Sequence, residues 1–274
     1  MSITGYAFIV GGGIGIGRAC ALALANDGAA GLLIADIDTA AAKKTATQCQ
    51  EVATNQQFRV ETTHVDITDE TSVKTAATMA TTVFGRIDYS VNCAGIGPNS
   101  HTEIADSDLS AYQRMLDVNV TGTFLVIREI SAIMRSQEPR RLLSPLGDHR
   151  GSTRGAIVVL GSAASHVATP RVAPYTAAKH AVIGMVKTAA IDNIPHGIRV
   201  NAVCPSFVNT PGVQAALGAD QELEEVITKM HPMGRIANAE EVADAVCFLC
   251  SDRSSYITGC GLFVDGGSTL NCHV

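Results

Sequence analysis

The 274-residue sequence lacks features that would place it in several other functional classes. It has no run of about eighteen or more apolar residues, which excludes a membrane-spanning helix. It has no excess of positive charge, since 20 Lys and Arg stand against 26 Asp and Glu, and the net charge of −6 argues against nucleic acid as a partner. Met1-Ser2 leads straight into an apolar strand without a signal peptide, so we expect a cytoplasmic location.

The eight cysteines lack the spacing of a metal site. Cys247 and Cys250 are three residues apart, but neither a second CxxC nor a paired histidine spacing completes a zinc site. Both fall in the helical stretch EEVADAVCFLC, so we interpret them as small apolar core residues. The others are scattered along the chain: Cys20, Cys49, Cys93, Cys204, Cys260 and Cys272. The sequence therefore predicts no metal, and reduced thiols of the kind found in the cytosol.

The chain also lacks a Pro-, Gly- or Ser-rich linker and an internal repeat. We expect a single domain over 1–274, because α/β folds of about 250 residues are commonly single. Apolar strands alternate with helical patterns and are predicted near 3–10, 31–36, 58–65, 87–92, 155–161, 198–204 and 260–265. Short buried strands between helices are typical of a parallel sheet covered on both faces. The predicted fold is a Rossmann-type, doubly wound α/β sheet of about seven strands.

Glycine is concentrated after the first predicted strand, in the segment GGGIGIG at 11–17. Such a segment gives a tight turn and lets backbone amides approach a pyrophosphate, although a turn needs glycine for conformational reasons alone. Asp36 ends the second strand, nineteen residues past Gly17. A carboxylate there can bind ribose hydroxyls and repel a 2′-phosphate, whereas Gly12 and Ile37 offer no basic side chain to welcome one. The predicted cofactor is NAD(H), not NADP(H). The alternative role for Asp36 is a helix cap, for which Asp38 is better placed.

Three residues of the stretch GSAASHVATPRVAPYTAAK form a candidate acid–base group. Ser162 follows an apolar run and is expected at the carboxyl end of a buried strand. Tyr175 and Lys179 are four residues apart in a helical pattern, so they share one face. A free phenol titrates near ~10 and is a poor base at neutral pH, but a neighbouring ammonium favours the phenolate. The serine hydroxyl can then bind the substrate oxygen whose proton the tyrosine transfers.

In order and combination, these motifs resemble the short-chain dehydrogenase/reductase family over essentially the whole chain. The family's glycine motif matches Val10 through Gly17, and its Asn-Asn-Ala-Gly motif matches 92–95. A Tyr–Lys pair or a glycine turn alone occurs by chance on many folds, whereas the combination is specific. The fourth catalytic position of the family falls in LDVNVTG on a long predicted helix. The resemblance therefore implies the catalytic residues Asn119, Ser162, Tyr175 and Lys179.

The resemblance also implies a set of cofactor-binding residues. Asp66 would hold the adenine together with Ile67, Lys179 would grip the nicotinamide ribose, and Asn119 would hold a water that relays protons. Val208 and Thr210 match positions that hold the nicotinamide carboxamide. The implied set is Gly11, Gly15, Ile16, Gly17, Asp36, Ile37, Asp66, Ile67, Asn92, Ala94, Gly95, Tyr175, Lys179, Pro205, Val208 and Thr210.

Three positions depart from the family pattern. Val10 replaces a threonine whose hydroxyl braces the glycine turn, and Cys93 replaces the second asparagine of its motif. Ser206 replaces the glycine of a Pro-Gly motif and narrows backbone freedom where the chain passes the nicotinamide. None is one of the implied catalytic residues, so we expect these changes to affect cofactor affinity more than chemistry.

The segment 135–154 is not explained by the family core. It carries Glu138, Asp148 and five arginines, and it is longer than usual, since loops beyond ~12–15 residues are usually functional or disordered. We interpret it as a mobile, solvated excursion. It also resembles insertions in fungal family members that tailor natural products. The arginines are Arg135, Arg140, Arg141, Arg150 and Arg154.

The resemblance implies an NAD(H)-dependent oxidoreductase that interconverts a secondary alcohol and a ketone. By the same analogy we expect an apolar small-molecule substrate, such as a terpenoid or polyketide, between walls at 96–102 and 163–172 and a lid near 207–233. His166 could line this pocket, although an incidental loop histidine is the simpler interpretation. Two alternatives stay open: the same fold and cofactor used for cyclisation, epimerisation or dehydration, and a cofactor-sensing protein without turnover.

Family members are commonly homotetramers, and two features of this sequence fit that assembly. The helices around 116–133 and 176–191 are apolar on more than one face. The carboxyl end places an apolar strand at a sheet edge, which a monomer would leave unprotected. Two-fold packing of these surfaces predicts a homotetramer. The alternative is a dimer in which the 135–154 segment covers one helix pair.

Overall fold

The computed structural model describes residues 3–98, 100–143, 147, 149–217 and 221–271. The predicted wall at 96–102, the insertion at 135–154 and the lid at 207–233 each extend in part outside the described residues. Asp148 and Cys272 also lie outside them.

The first half of the chain alternates strands and helices. Its strands are β1 (Tyr6–Val10), β2 (Gly31–Asp36), β3 (Arg59–His64) and β4 (Tyr89–Asn92). Its helices are α1 (Gly15–Asn26), α2 (Thr39–Val52), α3 (Glu70–Phe84), α4 (Leu109–Leu116) and α5 (Thr123–Ser136). A π-helical turn, Asp117–Gly122, joins the last two helices, so the predicted long helix is interrupted there.

The second half adds shorter strands and one long helix. Its strands are β5 (Arg140–Leu143), β6 (His149–Thr153), β7 (Gly155–Leu160), β8 (Ile198–Pro205), β9 (Val208–Asn209), β10 (Ala237–Asn238) and β11 (Gly261–Val264). Its helices are α6 (Ala173–Asn193), α7 (Pro211–Leu217), α8 (Gln221–Lys229) and α9 (Ala239–Cys250).

Seven strands form one parallel sheet in the order β11-β8-β7-β4-β1-β2-β3. This confirms the predicted doubly wound α/β fold. The strand order reverses at β1, which pairs with β2 on one side and with β4 on the other. Ligands of such sheets bind outside the carboxyl ends of the strands, at the point of reversal. The expected site is therefore the crevice beyond Val10 and Asn92.

Two apolar layers cover the sheet, and the side chains of β1 alternate between them. Ala7 and Ile9 join the layer of α1, α2 and α9, whereas Phe8 and Val10 join the layer of α3, α5 and α6. Full burial of an aliphatic or phenyl side chain contributes about 1.5–3 kcal/mol, so these layers hold the strand register firmly. The predicted core cysteines 247 and 250 are free and lie in the first layer.

The described part of 135–154, for which the sequence predicts a mobile, solvated excursion, contains two paired strands and an arginine that packs inward. β5 and β6 pair as an antiparallel hairpin. Arg140 Nη2 donates to Asp252 Oδ1 at 3.0 Å and to the Tyr89 hydroxyl at 3.2 Å. Burial raises the pKa of Tyr89 to about 12. Because Tyr89 begins β4, the hairpin lies at the amino ends of the strands, away from the expected crevice. A count of charges cannot reveal an arginine whose stem and guanidinium pack inward.

Candidate active site

The glycine segment forms a tight turn between β1 and α1. The Gly11 and Gly12 N–H groups both donate to the Ala35 carbonyl, at 2.8 and 3.3 Å. Gly11 has a φ of +73°, a conformation that favours glycine. A Cβ on Gly17 would lie 1.9 Å from the Gly11 carbonyl oxygen, so the first turn of α1 packs directly on the loop. Both positions require glycine.

The amino terminus of α1 faces this turn without a side-chain cap. Its N-cap residue, Ile14, makes no side-chain cap hydrogen bond and is 60% exposed. The first N–H groups of a helix lack intrahelical partners and carry the positive end of the helix dipole. A close glycine backbone beside such a terminus fits the pyrophosphate of a dinucleotide.

Asp36 lies beside the turn at the end of β2. Its Oδ2 accepts from Gly13 N at 2.7 Å, and its Oδ1 accepts from Asp38 N at 2.9 Å. Each carboxylate oxygen has a further lone pair that can accept from a ribose hydroxyl. The cap of α2 is Asp38, whose side chain accepts from Ala40 N and Ala41 N. Asp36 is therefore fixed in orientation and is not needed as a helix cap.

Asp66 and Ile67 follow β3 at the far side of the crevice. Asp66 Oδ1 accepts from the hydroxyl and the N–H of Thr68, at 2.7 and 2.9 Å, and these hydrogen bonds lower the pKa of Asp66. Ile67 is 6% exposed and occupies the space that a Cβ on Gly122 would need. The segment implied for the adenine thus packs against the π-helical turn that carries Asn119.

The loop after β4 meets the glycine turn. Asn92 Oδ1 accepts from Ala94 N at 3.2 Å, and its Nδ2 donates to Thr123 Oγ1 at 3.4 Å. A Cβ on Gly11 would lie 2.6 Å from Ala94 N. The loops of β1 and β4 therefore touch at the point where the strand order reverses.

Asn119 lies in the π-helical turn and is 1% exposed. Its Oδ1 accepts from Ile96 N at 3.0 Å, while its Nδ2 donates to Ile96 O at 2.9 Å and to Met115 Sδ at 2.8 Å. Single π turns inside helices are frequent at functional sites. Here the amide group ties the loop after β4 to the helices α4 and α5.

Tyr175 and Lys179 share one face of α6, as their spacing predicts. Lys179 is 7% exposed; its Nζ donates to Leu160 O at 2.9 Å and lies 5.7 Å from the centroid of the Tyr175 ring. A Cβ on Gly95 would lie 2.6 Å from Asn119 Oδ1 and 4.0 Å from Lys179 Nζ. The asparagine, the ammonium and the phenol ring are thus brought together beside Gly95.

Ser162 lies two residues beyond the end of β7, at the carboxyl end of a buried strand as the sequence predicts. Its Oγ accepts from Ala164 N at 3.1 Å, and its N–H donates to Ser165 Oγ at 3.1 Å. Accepting a hydrogen bond leaves the Ser162 hydroxyl proton available for another oxygen. The Leu160 carbonyl, which ends β7 two residues before Ser162, accepts the hydrogen bond from Lys179 Nζ.

The chain after β8 returns to the glycine turn. β9 pairs with β10, Val208 opposite Ala237, and Val208 is 3% exposed. A Cβ on Gly15 would lie 3.4 Å from Thr210 Cγ2. The segment that begins at Pro205 therefore passes over the amino terminus of α1.

A cavity of about 260 Å³ opens beside Tyr175. Its lining combines apolar side chains with polar ones, so its wall is mixed in character. The lining residues are Ile96, Pro98, Ser100, Thr102, Ser107, Asp108, Ser110, Ala111, Arg114, Met115, Val172, Pro174 and Tyr175. The predicted walls contribute through the described part of 96–102 and through Val172, but no described residue of the predicted lid lines this cavity.

Comparison with known proteins identifies the family. A family model described as enoyl-(acyl carrier protein) reductase matches residues 11–269. The short-chain dehydrogenase fogB of Aspergillus ruber is 55% identical over 270 residues, which cover 98% of each chain. The chain belongs to the short-chain dehydrogenase/reductase family. It is accordingly an oxidoreductase of a family that uses NAD or NADP.

Two further proteins are similar to this chain over most of its length. A 2,5-dichloro-2,5-cyclohexadiene-1,4-diol dehydrogenase of Sphingobium indicum is 37% identical over 262 residues, 95% of each chain. A short-chain dehydrogenase/reductase structure from Mycobacterium ulcerans superposes with a TM-score of 0.86 at 28% identity, covering 98% of this chain and 91% of the other. The family and the fold expected from the sequence are both confirmed.

The sequence analysis does not predict that α4 forms part of the cavity wall. The cavity takes Ser107, Ser110, Arg114 and Met115 from in front of and within α4. The signal was present as the amphipathic stretch DSDLSAYQRML, which directly precedes the Asn119 motif. His166 instead packs on Phe263, with ring centroids 4.8 Å apart, and does not line the cavity.

The residues that the structure describes contain no group of three or more His, Cys, Asp or Glu arranged to hold a metal ion. They also contain no helix that is long and apolar enough to cross a membrane.

Proposed function

We propose that this dehydrogenase is an NAD(H)-dependent enzyme that interconverts a secondary alcohol and a ketone on a small molecule. The observation that carries the proposal is the buried Lys179 ammonium, placed between the Leu160 carbonyl and the ring of Tyr175 at the edge of the cavity. The phenol hydroxyl of Tyr175 is the proposed group that transfers the proton in this reaction. The proposed catalytic residues are Asn119, Ser162, Tyr175 and Lys179.

The nicotinamide would supply or accept the hydride, and the chain's own residues handle the proton. In oxidation, Tyr175 removes the hydroxyl proton of the substrate; in reduction, it returns one to the carbonyl oxygen. Ser162 donates a hydrogen bond to the same oxygen and stabilises the charge that develops there. Asn119 fixes Ile96, and the second lone pair of its Oδ1 can hold the water proposed to relay protons from Lys179.

The proposed preference for NAD(H) rests on Asp36. Its carboxylate is held by Gly13 N and Asp38 N, so it cannot turn away from a 2′-phosphate without losing two hydrogen bonds. Close approach of a second negative group is unfavourable. Three features support the remaining proposed cofactor residues: the glycine turn, the uncapped amino terminus of α1, and the close approach of Thr210 to Gly15. Asp66 and Ile67 belong to the same proposed set.

We propose a hydroxylated or carbonyl-bearing natural product, such as a terpenoid or polyketide, as the substrate class. Similarity to fungal dehydrogenases and to a cyclic-diol dehydrogenase supports it. The mixed wall of the cavity fits a largely apolar skeleton with polar substituents. We also propose a lid over 207–233, and the exposed apolar side chains in this range support it: Phe207, Val226, Met230 and Met233.

We further propose that the chain works as one domain in a homotetramer within the cytoplasm. Apolar side chains are exposed on the helices and the terminal segment expected to pack across two-fold axes, namely Phe124, Ile191, Phe263 and Leu270. The seven described cysteines are all free, which fits a reducing compartment. Light scattering at micromolar concentration tests the assembly: a mass of four chains supports it, and a mass of one or two overturns it.

A screen of secondary alcohols with NAD, and of ketones with NADH, followed by nicotinamide absorbance, tests the central proposal. Steady formation or consumption of NADH with at least one compound is the expected result. Conversion to a rearranged or dehydrated product without net change in NADH would favour the alternative in which the same site catalyses cyclisation, epimerisation or dehydration. Tight cofactor binding with no conversion across the screen would favour a sensor.

A further inference from the structure

His231 is a buried histidine that the proposed chemistry does not use. It is 3% exposed; its Nδ1 lies 2.7 Å from the Ile227 carbonyl oxygen, and its Nε2 lies 2.8 Å from Ser206 Oγ. A carbonyl oxygen only accepts, so Nδ1 donates to Ile227, and in the neutral ring Nε2 accepts from the Ser206 hydroxyl. The imidazole thus joins two segments that are 25 residues apart.

The segment around His231 is supported by the turn after β11. Gly234 N donates to His231 O at 2.8 Å, and Met233 N donates to Gly266 O at 3.3 Å. A Cβ on Gly266 would lie 3.7 Å from His231 Cδ2. Because β11 pairs with β8 in the central sheet, the imidazole is held in a fixed place relative to the strand end at Pro205.

Ser206 is the second residue of the segment that passes over the glycine turn. Its N–H donates to Val264 O at 3.3 Å, and Ala237 N donates to Phe207 O at 3.2 Å. The Phe207 ring stands edge-on to the His231 ring, with centroids 6.2 Å apart and an angle of 79° between the planes. His231 therefore contacts two consecutive residues at the start of this segment.

We infer that Ser206 and His231 act as a positioning pair that fixes residues 205–210, the nicotinamide loop, above the glycine turn. The inference rests on the proposed NAD(H) function, which gives this loop its ligand. It accounts for a serine where the family pattern has glycine: the side chain that narrows backbone freedom also supplies the hydroxyl bound by His231. The pair joins the base of the lid to the cofactor loop, so cofactor affinity depends on both residues.

Four variants test the pair: Ser206→Ala, His231→Phe, the double variant, and Ser254→Ala as a matched control. Ser254 is likewise a buried serine, whose hydroxyl donates to Leu249 O at 2.9 Å, but it lies beyond α9 and outside the loop. The readouts are the calorimetric Kd for NADH, the melting temperature, and hydrogen exchange of the 206–210 amides (Pro205 has none) in cofactor-free protein.

Ser206→Ala and His231→Phe should each raise the Kd for NADH by about 3- to 10-fold, as loss of one buried hydrogen bond predicts. Each should also speed exchange in the loop, and the double variant should be no worse than the poorer single variant, because the two residues act as one unit. Ser254→Ala should lower the melting temperature and leave the Kd unchanged.

The inference is overturned if Ser206→Ala binds NADH as tightly as the wild type, or if the two effects multiply in the double variant. Should His231→Phe fail to fold, His231→Gln takes its place. If the wild type binds neither NADH nor NADPH, the proposed function fails, and loop exchange still decides on the pair: unchanged exchange in Ser206→Ala overturns it.

Discussion

Asn119 and Ile96 are joined by two hydrogen bonds that run in opposite directions. Asn119 Oδ1 accepts from Ile96 N at 3.0 Å, and Asn119 Nδ2 donates to Ile96 O at 2.9 Å. An amide side chain matches a peptide group in this way, whereas a carboxylate can only accept and an aliphatic side chain does neither. Because Ile96 lines the cavity, these two hydrogen bonds tie the π-helical turn to the cavity wall.

Replacing Asn119 by alanine should therefore affect the wall as well as the chemistry. We expect KM for the alcohol to rise and kcat to fall, with a loss of about 1–3 kcal/mol in the free energy of unfolding from the unpaired Ile96 groups. Steady-state kinetics and urea titration measure both effects. Gln113→Ala is the control, since it removes an amide that donates to Asp117 on the exposed face of α4. Kinetics of Asn119→Ala equal to those of the control would contradict this account.

Asp36 should determine the choice of cofactor. Asp36→Ala removes the charge that opposes a 2′-phosphate, so NADH affinity should fall and the ratio of NADH to NADPH affinity should move towards one. Asp38→Ala, two residues away, also removes one negative charge, but the side chain that it removes serves only as the cap of α2. Calorimetric titration of both nucleotides with both variants separates the roles. Tighter binding of NADPH than of NADH by the wild type would refute the assignment.

The strand pattern and the motif spacing were sufficient for the fold and for much of the site. Apolar runs predict central strands such as β1, β2 and β7, because a strand covered on both faces has to be apolar along its length. The edge strand β3 is also predicted, although its sequence RVETTH is mixed and its residues are exposed or half-buried. Ser162 at a strand end and Lys179 one turn from Tyr175 follow from the same local periodicities. These features depend on near neighbours in the sequence, which is why they could be read from it.

Other features depend on contacts between distant segments, which local patterns do not encode. Arg140 lies in a segment predicted to be solvated, yet it reaches Asp252, which is 112 residues later in the chain. The contact of His231 with Ser206, which lies 25 residues earlier, leaves no local pattern in the sequence. The π-helical turn at Asn119 also escaped prediction, since an inserted residue leaves little trace in an apolar helix pattern.

The hairpin should stabilise the fold without affecting catalysis. Arg140→Met removes the guanidinium that binds Tyr89 and Asp252 and leaves the 3%-exposed carboxylate of Asp88 with Arg86 as its remaining cation, and we expect a loss of about 1–3 kcal/mol in the free energy of unfolding. KM and kcat should stay at wild-type values, because the contacts lie at the amino ends of the strands. Arg141→Met on the same hairpin, an exposed position, controls for the charge. A rise in KM without a change in stability would place the hairpin at the substrate site instead.

The ion pair between Arg235 and Glu241 should make the stability of the protein depend on pH. Hydrogen bonds from Arg235 lower the pKa of Glu241 to about 2, from an ordinary value of 4.5. A carboxyl with a depressed folded-state pKa contributes stability above its unfolded pKa and loses it as the pH falls through the folded value. Glu241→Gln should therefore be less stable than the wild type at pH 7, and the gap should close between pH 4.5 and 2. Thermal melts across this range measure the difference in stability, with Glu240→Gln as the charge control. A difference between Glu241→Gln and the wild type that does not change with pH would be inconsistent with this ion pair.

The most direct test of the proposed chemistry is turnover by Tyr175→Phe on a substrate found in the screen. The phenyl ring still packs beside Lys179, so folding and NADH affinity should be kept, while loss of the proton-transfer group should lower kcat by ~10²–10⁴-fold. Tyr256→Phe, at a fully exposed tyrosine, should turn over like the wild type. If Tyr175→Phe retains half or more of the wild-type kcat, Tyr175 is not the proton-transfer group and the proposed mechanism is wrong.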